Sequence, residues 1–159
     1  MKIVNLVDED VINYKEVSMF IGMPHCTGKC WKDLGLDSSI CQNDCLRTAP
    51  TVEISPQELI KRFDRSELST AVVFGGMEPM DSFREVCEFI FEFRKEHNNT
   101  IIIYSGYTEE ELNYKINALK AYKNIIVKVG RYVPNSNSRC DSLLGVTLVS
   151  DNQYAIKIS

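Results

Sequence analysis

Short apolar runs alternate with segments of helical spacing along this chain of 159 residues. A continuous apolar run bounded by turn residues is typical of a buried parallel strand. The runs predict four strands, at residues 16–22, 70–74, 100–104 and 125–129. Apolar residues that recur at helical spacing predict three helices, over residues 55–65, 80–96 and 108–122. Ser55 before Pro56, and Thr108 before a run of glutamates, are typical helix N-termini.

The repeated strand–helix order predicts the fold class. Successive β–α units place their strands in parallel with right-handed crossovers, so the loops that follow the strands meet at one edge. The units are too few for a closed barrel of eight strands. We therefore expect an α/β fold, an open partial (β/α) barrel of mostly parallel strands, as a single domain over residues 1–159. A polar loop at 134–141 is expected before a closing hairpin of residues 142–149 and 154–158.

Composition narrows the function. The net charge is −4, and no run of Lys and Arg exceeds two residues, which argues against a nucleic-acid partner because phosphates require a basic face. Acids at residues 8–10 precede any apolar segment that could be a signal peptide, and no apolar run approaches the roughly 20 residues of a membrane span. We therefore expect a cytoplasmic protein without a membrane anchor. Six cysteines in that compartment indicate metal or redox chemistry rather than disulfides.

Four of the six cysteines lie on one loop after the first predicted strand, at residues 25–45. They read Cys26-x3-Cys30, then a spacer of ten residues, then Cys41-x3-Cys45. Thiolates gathered in this way are typical of a metal site. The spacing is compatible with structural zinc as well as with an iron–sulfur cluster. In α/β folds, a loop at the carboxyl end of a strand is where ligands bind.

Two motifs resemble those of the radical S-adenosylmethionine enzymes. Cys26-x3-Cys30 with a third cysteine is similar to their C-x3-C-x2-C signature, and Gly-Gly-Met-Glu-Pro at 75–79 is similar to their Gly-Gly-Glu-Pro turn. The resemblance implies a partial barrel that holds a [4Fe–4S] cluster and S-adenosylmethionine. It also implies the chemistry, in which the reduced cluster cleaves S-adenosylmethionine to a 5′-deoxyadenosyl radical.

Later motifs narrow the resemblance to the activating proteins of anaerobic ribonucleoside-triphosphate reductase. In chain order they are Cys41-Gln42-Asn43, Tyr104-Ser105-Gly106-Tyr107-Thr108, Gly130-Arg131-Tyr132 and Asp151-Asn152-Gln153. The resemblance implies a glycyl radical activase, which abstracts hydrogen from a glycine of a large partner enzyme. The implied partner is that reductase or another glycyl radical enzyme, and the implied electron donor is of the flavodoxin or ferredoxin type.

The resemblance also implies roles for single residues. Cys26, Cys30 and Cys41 are the expected cluster ligands and hence the catalytic residues. The residues expected to contact S-adenosylmethionine are Gly75, Gly76, Glu78, Pro79, Ser105, Lys128 and Trp31. Trp31 is included because Ile40 replaces the aromatic residue that the family places before its last cysteine, beside the adenine. Lys128, near a strand end, is the candidate for the methionine carboxylate, although it could also be an ordinary edge residue.

Alternatives stay open at this point. Cys26, Cys41 and Cys45 form a second ligand set, similar to that of the 7-carboxy-7-deazaguanine synthases, so the enzyme could act on a small molecule or peptide. A non-catalytic zinc or iron–sulfur module that binds a partner is also compatible with the loop. Cys87 is expected in the core, and the acids at 109–111 on a solvated first turn of a helix.

Overall fold

A six-stranded sheet organises the molecule, and the computed structural model describes all 159 residues. The strands are β1 (Lys2–Ile3), β2 (Asn5–Asp10), β3 (Ser18–Met23), β4 (Val52–Glu53), β5 (Ala71–Gly76), β6 (Thr100–Tyr104), β7 (Ile125–Val129), β8 (Arg139–Asp141), β9 (Val146–Leu148) and β10 (Tyr154–Lys157). The helices are α1 (Lys29–Lys32), α2 (Pro56–Arg65), α3 (Phe83–Phe93) and α4 (Asn113–Leu119), with 3₁₀ turns at Ser38–Ile40, Asp44–Leu46 and Pro79–Ser82. No helix has the length and apolar character that crossing a membrane requires.

The centre of the sheet is parallel and its edges are antiparallel. The strand order is β10-β7-β6-β5-β3-β2. Strands β3, β5, β6 and β7 run parallel, while β2 and β10 pair antiparallel at the two edges. The parallel strands are the four that the apolar runs predict, because strands buried on both faces have apolar residues at successive positions. The strand order leaves the sheet open, with β2 and β10 not paired to each other.

The two faces of the sheet have different covers. Helices α2, α3 and α4 pack on one face, around a cluster of phenylalanines whose rings stack or meet edge to face: Phe63, Phe74, Phe89 and Phe93. The opposite face, which includes Val73 and Ile102, is covered by Tyr14, Leu144 and Leu148. These three residues come from the β2–β3 loop and from the β8–β9 region. The chain itself therefore fills both faces of its sheet.

Helix α2 confirms the prediction made from its capping residues. Oγ of Ser55 accepts a hydrogen bond from Glu58 N at 3.1 Å, and Pro56 occupies the first helical position. Its apolar stripe buries Leu59 and Phe63 against the sheet. Local sequence therefore determines both where this helix starts and which side it buries.

Helices α3 and α4 are shorter than predicted. The segment predicted as a helix over 80–96 begins instead with the 3₁₀ turn Pro79–Ser82, and regular helix starts at Phe83. In the segment predicted over 108–122, Thr108 and Glu111 do form the reciprocal hydrogen bonds of a capping box, at 2.9 and 3.3 Å. Regular helix nevertheless begins only at α4, so the intervening residues form turns.

The hairpin predicted from residues 142–149 and 154–158 is wrong. Strand β10 pairs with β7 in the main sheet, and β9 pairs with β8, whose residues were predicted to belong to a polar loop at 134–141. Without β10, strand β7 would present an unpaired and apolar edge, so pairing there satisfies the backbone of the parallel group. The turn between β8 and β9 is closed by Gly145, whose N–H donates to Asp141 O at 2.7 Å from a left-handed conformation.

Candidate functional site

The loops that follow β3, β5, β6 and β7 meet at the carboxyl edge of the sheet, as the parallel order predicts. Backbone hydrogen bonds join them. Glu78 N donates to His25 O at 2.8 Å, which links the loop after β5 to the loop after β3. Gly130 N donates to Tyr107 O at 2.8 Å, which links the loops after β7 and β6. We call this connected edge the rim.

The first two predicted ligands, Cys26 and Cys30, lie at the rim and are both partly buried. Gly28 N donates to Sγ of Cys26 at 3.2 Å from a left-handed conformation (φ 74°), which glycine adopts without strain. Sγ of Cys30 approaches Gly106 so closely that a β-carbon built on that glycine would lie 2.8 Å from the sulfur. Burial raises the pKa of both thiols. The two thiols therefore keep their protons until a metal displaces them.

The residue next to Cys26 is fixed to two loops of the rim. Thr27 N donates to Oδ2 of Asp81 at 2.7 Å, and the Thr27 hydroxyl lies 2.9 Å from that of Tyr107. The Tyr107 hydroxyl in turn donates to Oδ1 of Asp81 at 2.6 Å. Burial and this hydrogen bond raise the pKa of Tyr107 well above its usual range. The sequence analysis missed Asp81, because no local signal links it to a residue 54 positions earlier.

The second half of the cysteine loop is attached less firmly. Cys41 follows the 3₁₀ turn Ser38–Ile40 and is partly buried, whereas Cys45 is exposed in the next turn. One hydrogen bond joins this half to the rim, from Nδ2 of Asn43 to Gly76 O. No three Cys, His, Asp or Glu side chains are close enough together to hold a metal ion. The structure therefore does not bring the three predicted ligands together, and a thiolate site closes only if this half moves.

Glu78 is a buried carboxyl group in the loop after β5, with 6% of its surface exposed. Its two oxygens accept hydrogen bonds from Gly106 N at 2.8 Å and from Met80 N at 3.1 Å. Burial raises its pKa to about 7, although these amides and the Ser105 hydroxyl favour the ionised form. The predicted contact with S-adenosylmethionine stays a prediction, but the carboxyl group does lie next to the glycine that touches Cys30.

Lys128 is buried within the sheet, where β7 is flanked by β6 and β10. Its ammonium donates to the carbonyl oxygens of Gly130 at 3.0 Å and of Ser105 at 3.4 Å. Burial lowers its pKa to about 8, and the negative charges of Glu78 and Cys30 partly offset that effect. The interpretation of Lys128 as an ordinary edge residue is therefore wrong, since it is a buried cation near a cysteine and a carboxyl group.

Gly75 and Gly76 have a structural role that needs no cofactor. A β-carbon on Gly76 would lie 2.9 Å from Cα of Gly22, and its φ of +80° disfavours any other residue. A β-carbon on Gly75 would lie 2.7 Å from the ring of Phe20. Pro79 starts the 3₁₀ turn that follows. Close approach of this turn to β3 explains the glycines, and contact of these residues with S-adenosylmethionine stays a prediction.

Trp31 lies on α1 with its indole against Gly28, where a β-carbon would come within 2.5 Å of the ring. The ammonium of Lys32 lies 5.1 Å from the ring centroid and the guanidinium of Arg47 lies 5.7 Å from it. The indole Nε1 is buried and has no hydrogen-bond partner. A buried N–H without an acceptor is costly, so it favours an acceptor supplied by a bound group. The predicted stacking of Trp31 on an adenine is untested.

The donor set fits a thiolate-bound iron–sulfur cluster. All six cysteines are free, and four of them lie on the cysteine loop. The unpaired indole N–H of Trp31 lies on that same loop, and sulfur atoms of such clusters accept hydrogen bonds. Cys87 packs against the core on α3, as predicted, and Cys140 is exposed on β8. Neither belongs to the loop.

Comparison with known protein families indicates which metal group the cysteine loop binds. A family model described as a 4Fe-4S single cluster domain matches residues 25–154, from the residue before the first cysteine to the start of β10. The match covers the cysteine loop together with strands β5, β6 and β7 of the six-stranded sheet. No curated protein and no solved structure matches the chain. The match supports a [4Fe–4S] cluster over the structural zinc with which the spacing is also compatible.

Proposed function

Because the chain belongs to the 4Fe-4S single cluster domain family, we propose that it is a radical S-adenosylmethionine activase. In this proposal it generates a glycyl radical on a partner enzyme, an anaerobic ribonucleotide reductase or a related glycyl radical enzyme. Cys26, Cys30 and Cys41 hold the cluster, and a flavodoxin- or ferredoxin-type protein reduces it. The open six-stranded sheet, parallel at its centre, would be the counterpart of the partial barrel that the resemblance implies.

The observation that carries the proposal is what surrounds Cys30. Its sulfur contacts Gly106 in the loop after β6, and the amide of that glycine binds the carboxyl group of Glu78 in the loop after β5. The ammonium of Lys128 binds the carbonyl of Ser105, one residue earlier. A carboxylate and an ammonium are the partners that the two charged ends of a methionine require. A purely structural cluster would not need these two buried groups, whose desolvation is costly.

Each group has a role that its position and charge support. When bound by three thiolates, a [4Fe–4S] cluster supplies single electrons and keeps one iron free of protein ligands. Lys128 binds the methionine carboxylate with an ammonium that is charged below pH about 8. Glu78 accepts from the amino group with a carboxylate that is charged above pH about 7. In the proposal, the turn at 75–79 and Ser105 also contact S-adenosylmethionine, and Trp31 supplies an aromatic face for its adenine.

A protein substrate suits this structure better than a small molecule. Tyr14, Leu144 and Leu148 fill the face of the sheet that the helices leave open, so no substrate chamber remains there. One cavity of about 310 Å³ lies between β2 and α2, and another of about 480 Å³ lies beside α4. Neither is lined by a cysteine. A large partner that covers the rim would exclude water from the reaction, as radical chemistry requires.

Anaerobic reconstitution tests the proposal. The protein should take up about four irons per chain and absorb broadly near 400 nm, as such clusters do. After reduction it should cleave S-adenosylmethionine slowly, which chromatography of 5′-deoxyadenosine measures. Addition of a glycyl radical enzyme from the same cell should give the doublet of a glycyl radical in electron paramagnetic resonance.

Matched controls separate the alternatives. A partner whose radical-bearing glycine is replaced by alanine should give no doublet while the cluster stays intact. Protein that binds iron but never cleaves S-adenosylmethionine would be a non-catalytic cluster module. Strong stimulation of cleavage by a small molecule or peptide, with no glycyl signal from any partner, would overturn the activase assignment.

A further inference from the structure

Helix α1 carries Cys30 but contributes no residue to the hydrophobic core. It is four residues long, and none of them is buried. A helix of this length is not stable in water by itself. Its N-cap, Gly28, offers no side chain to the first turn. The order of α1 therefore depends on what holds its two ends.

Two charged residues of the rim, Glu111 and Arg131, hold both ends of α1. At its start, the ammonium of Lys29 donates to Oε1 of Glu111 at 2.8 Å. At its C-cap, Asp33 accepts from Nε of Arg131 at 2.8 Å. Arg131 also donates two parallel hydrogen bonds to Glu111, of 2.7 and 2.8 Å. The four side chains form a continuous chain of ion pairs along α1.

The Arg131–Glu111 pair at the centre of this network is more shielded from water than the ion pairs outside it. The side chains of Arg131 and Glu111 are 14% and 28% exposed, whereas those of the Arg84–Glu88 pair are 92% and 51% exposed. Exposed pairs contribute little, but paired arginine–carboxylate hydrogen bonds are strong and directional. The hydrogen bonds from Arg131 hold the pKa of Glu111 well below its usual range. Residues 109–111 are exposed, as predicted, but they form a turn before α4 rather than a first turn of helix. The Glu111 carboxylate in that turn is bound by Arg131.

Backbone contacts fix the two rim residues in turn. Oε2 of Glu111 accepts from Thr108 N at 2.9 Å. The carbonyl of Arg131 accepts from Nδ2 of Asn152 at 3.0 Å. Gly130 has φ +99°, and a β-carbon there would lie 2.7 Å from Asn152 O. Only a glycine at position 130 therefore lets the backbone of Asn152 come this close. The Tyr-Ser-Gly-Tyr-Thr, Gly-Arg-Tyr and Asp-Asn-Gln motifs therefore converge on one helix of the cysteine loop.

We propose that Glu111 and Arg131 are positioning residues that clamp α1 and so fix Cys30 before the cluster binds. The clamp is a property of the metal-free protein, whereas its consequence for the cluster rests on the proposed function, in which Cys30 is a ligand. Because both ends of α1 are held, Cys30 stays against Gly106 while the second half of the loop closes. Loss of either charge frees one end and lets Cys30 move away from the rim.

Hydrogen–deuterium exchange of the metal-free protein tests the clamp directly. In Glu111→Gln and in Arg131→Gln, the amides of residues 32, 33, 35 and 36 should exchange about tenfold faster. They carry the backbone hydrogen bonds of α1 and the turn after it, and these bonds open when the helix is released. The amides of β5, β6 and β7 should exchange at the wild-type rate, which shows that the sheet is intact. Glu88→Gln removes an exposed ion pair far from the loop and should change neither.

Iron release from the reconstituted protein measures the consequence. A ferrous chelator should remove iron about tenfold faster from the two clamp variants than from the wild type or Glu88→Gln, as is typical when the support of a metal ligand is lost. Arg131→Lys keeps the positive charge but loses the two parallel hydrogen bonds to Glu111. Its rate of iron release should lie between those of the wild type and Arg131→Gln. This variant also tests the clamp if Arg131→Gln does not fold.

The outcomes separate the two proposals. Wild-type exchange at residues 32, 33, 35 and 36 in both Glu111→Gln and Arg131→Gln would refute the clamp, whatever the cluster does. Faster exchange with unchanged iron release would refute the claim that the clamp positions a ligand. A wild-type protein that takes up no iron would refute the proposed function, while the exchange measurement would still decide the clamp.

Discussion

The two halves of the cysteine loop are held in different ways. Residues 26–33 are tied by side chains to the loops after β5, β6 and β7, through Asp81, Glu111 and Arg131. Residues 34–51 form two short 3₁₀ turns, with a single hydrogen bond to the rim. The first half therefore presents its cysteines in place, and the second half delivers its cysteines only when it moves.

A comparison of loop-closure entropy with the free energy of metal binding shows why the second half can be attached weakly. The spacer of ten residues between Cys30 and Cys41 is five times that of the C-x3-C-x2-C signature it resembles, and the extra length adds only about 1.4 kcal/mol of loop-closure entropy. Binding of a metal by thiolates contributes roughly 10 kcal/mol. Metal binding can thus order the second half, whereas the first half is ordered without it. The predictions below test this difference, from the largest expected effect to the smallest.

The largest effect should distinguish ligands from bystanders. Replacement of Cys26, Cys30 or Cys41 by Ala should abolish the cluster, because each removes one of three thiolates. Cys45→Ala and Cys87→Ala should keep it, and they serve as matched controls. Iron per chain and the absorbance near 400 nm after anaerobic reconstitution measure the outcome.

The opposite pattern is also informative. A cluster that is lost in Cys45→Ala but kept in Cys30→Ala would favour the ligand set of Cys26, Cys41 and Cys45. Two of the three ligands, Cys41 and Cys45, would then come from the second half. The order that the first half gives to Cys30 would have no role in holding the cluster.

A large loss of stability is expected when Gly76 at the rim is replaced. Gly76→Val introduces a β-branched side chain at positive φ and against the backbone of Gly22, which should lower the free energy of unfolding by roughly 3 kcal/mol or more. Gly35→Val is the matched control in the second half, because Gly35 also has positive φ but nothing within 4 Å of a β-carbon. It should cost about 1 kcal/mol. Urea denaturation of the metal-free proteins gives both values, and equal losses would mean that close contact at the rim is unimportant.

A smaller effect should follow pH through the buried carboxyl group at the rim. Glu78 has a pKa raised to about 7, so between pH about 4.5 and 7 the folded protein binds more protons than the unfolded chain. Stability should fall as pH rises through that window, by an amount of the order of 2 kcal/mol. Lys128, with a pKa lowered to about 8, gives the opposite slope above that pH, where stability rises. Glu78→Gln should remove the decline, and a variant that keeps it would locate the titrating group elsewhere.

The sequence predicts the central strands because their signal is local. Each parallel strand is a continuous apolar run, and helix α2 starts at a serine followed by a proline. The pairing of β10 is not local, because the choice between β9 and β7 depends on which edge needs a partner. The hairpin prediction failed for that reason. The helix predicted over 108–122 was too long because a capping box forms there without continuing directly into helix.

The site divides in the same way. The clustered cysteines and the rim that receives them follow from spacing and strand order. The clamp does not, since Lys29 and Glu111 are 82 residues apart and Asp33 and Arg131 are 98 apart. Nor does spacing predict that Lys128 is buried, because a single lysine in an apolar strand is compatible with an edge position as well. Charged contacts between distant loops require the folded structure.

The smallest effect is expected at Asn43, which donates the one hydrogen bond between the second half and the rim. Asn43→Ala should weaken the attachment of the second half to the rim by about 1 kcal/mol, the net contribution of such a hydrogen bond, and leave urea denaturation of the sheet nearly unchanged. Iron release to a chelator should be faster, but by about fivefold or less, and so by less than in Arg131→Gln. Asn43→Asp keeps the shape and removes the donor, so it should match the alanine variant if donation to Gly76 is what counts. Iron release as fast as in Arg131→Gln would mean that the second half is positioned as firmly as the first, and the difference between the two halves would not hold.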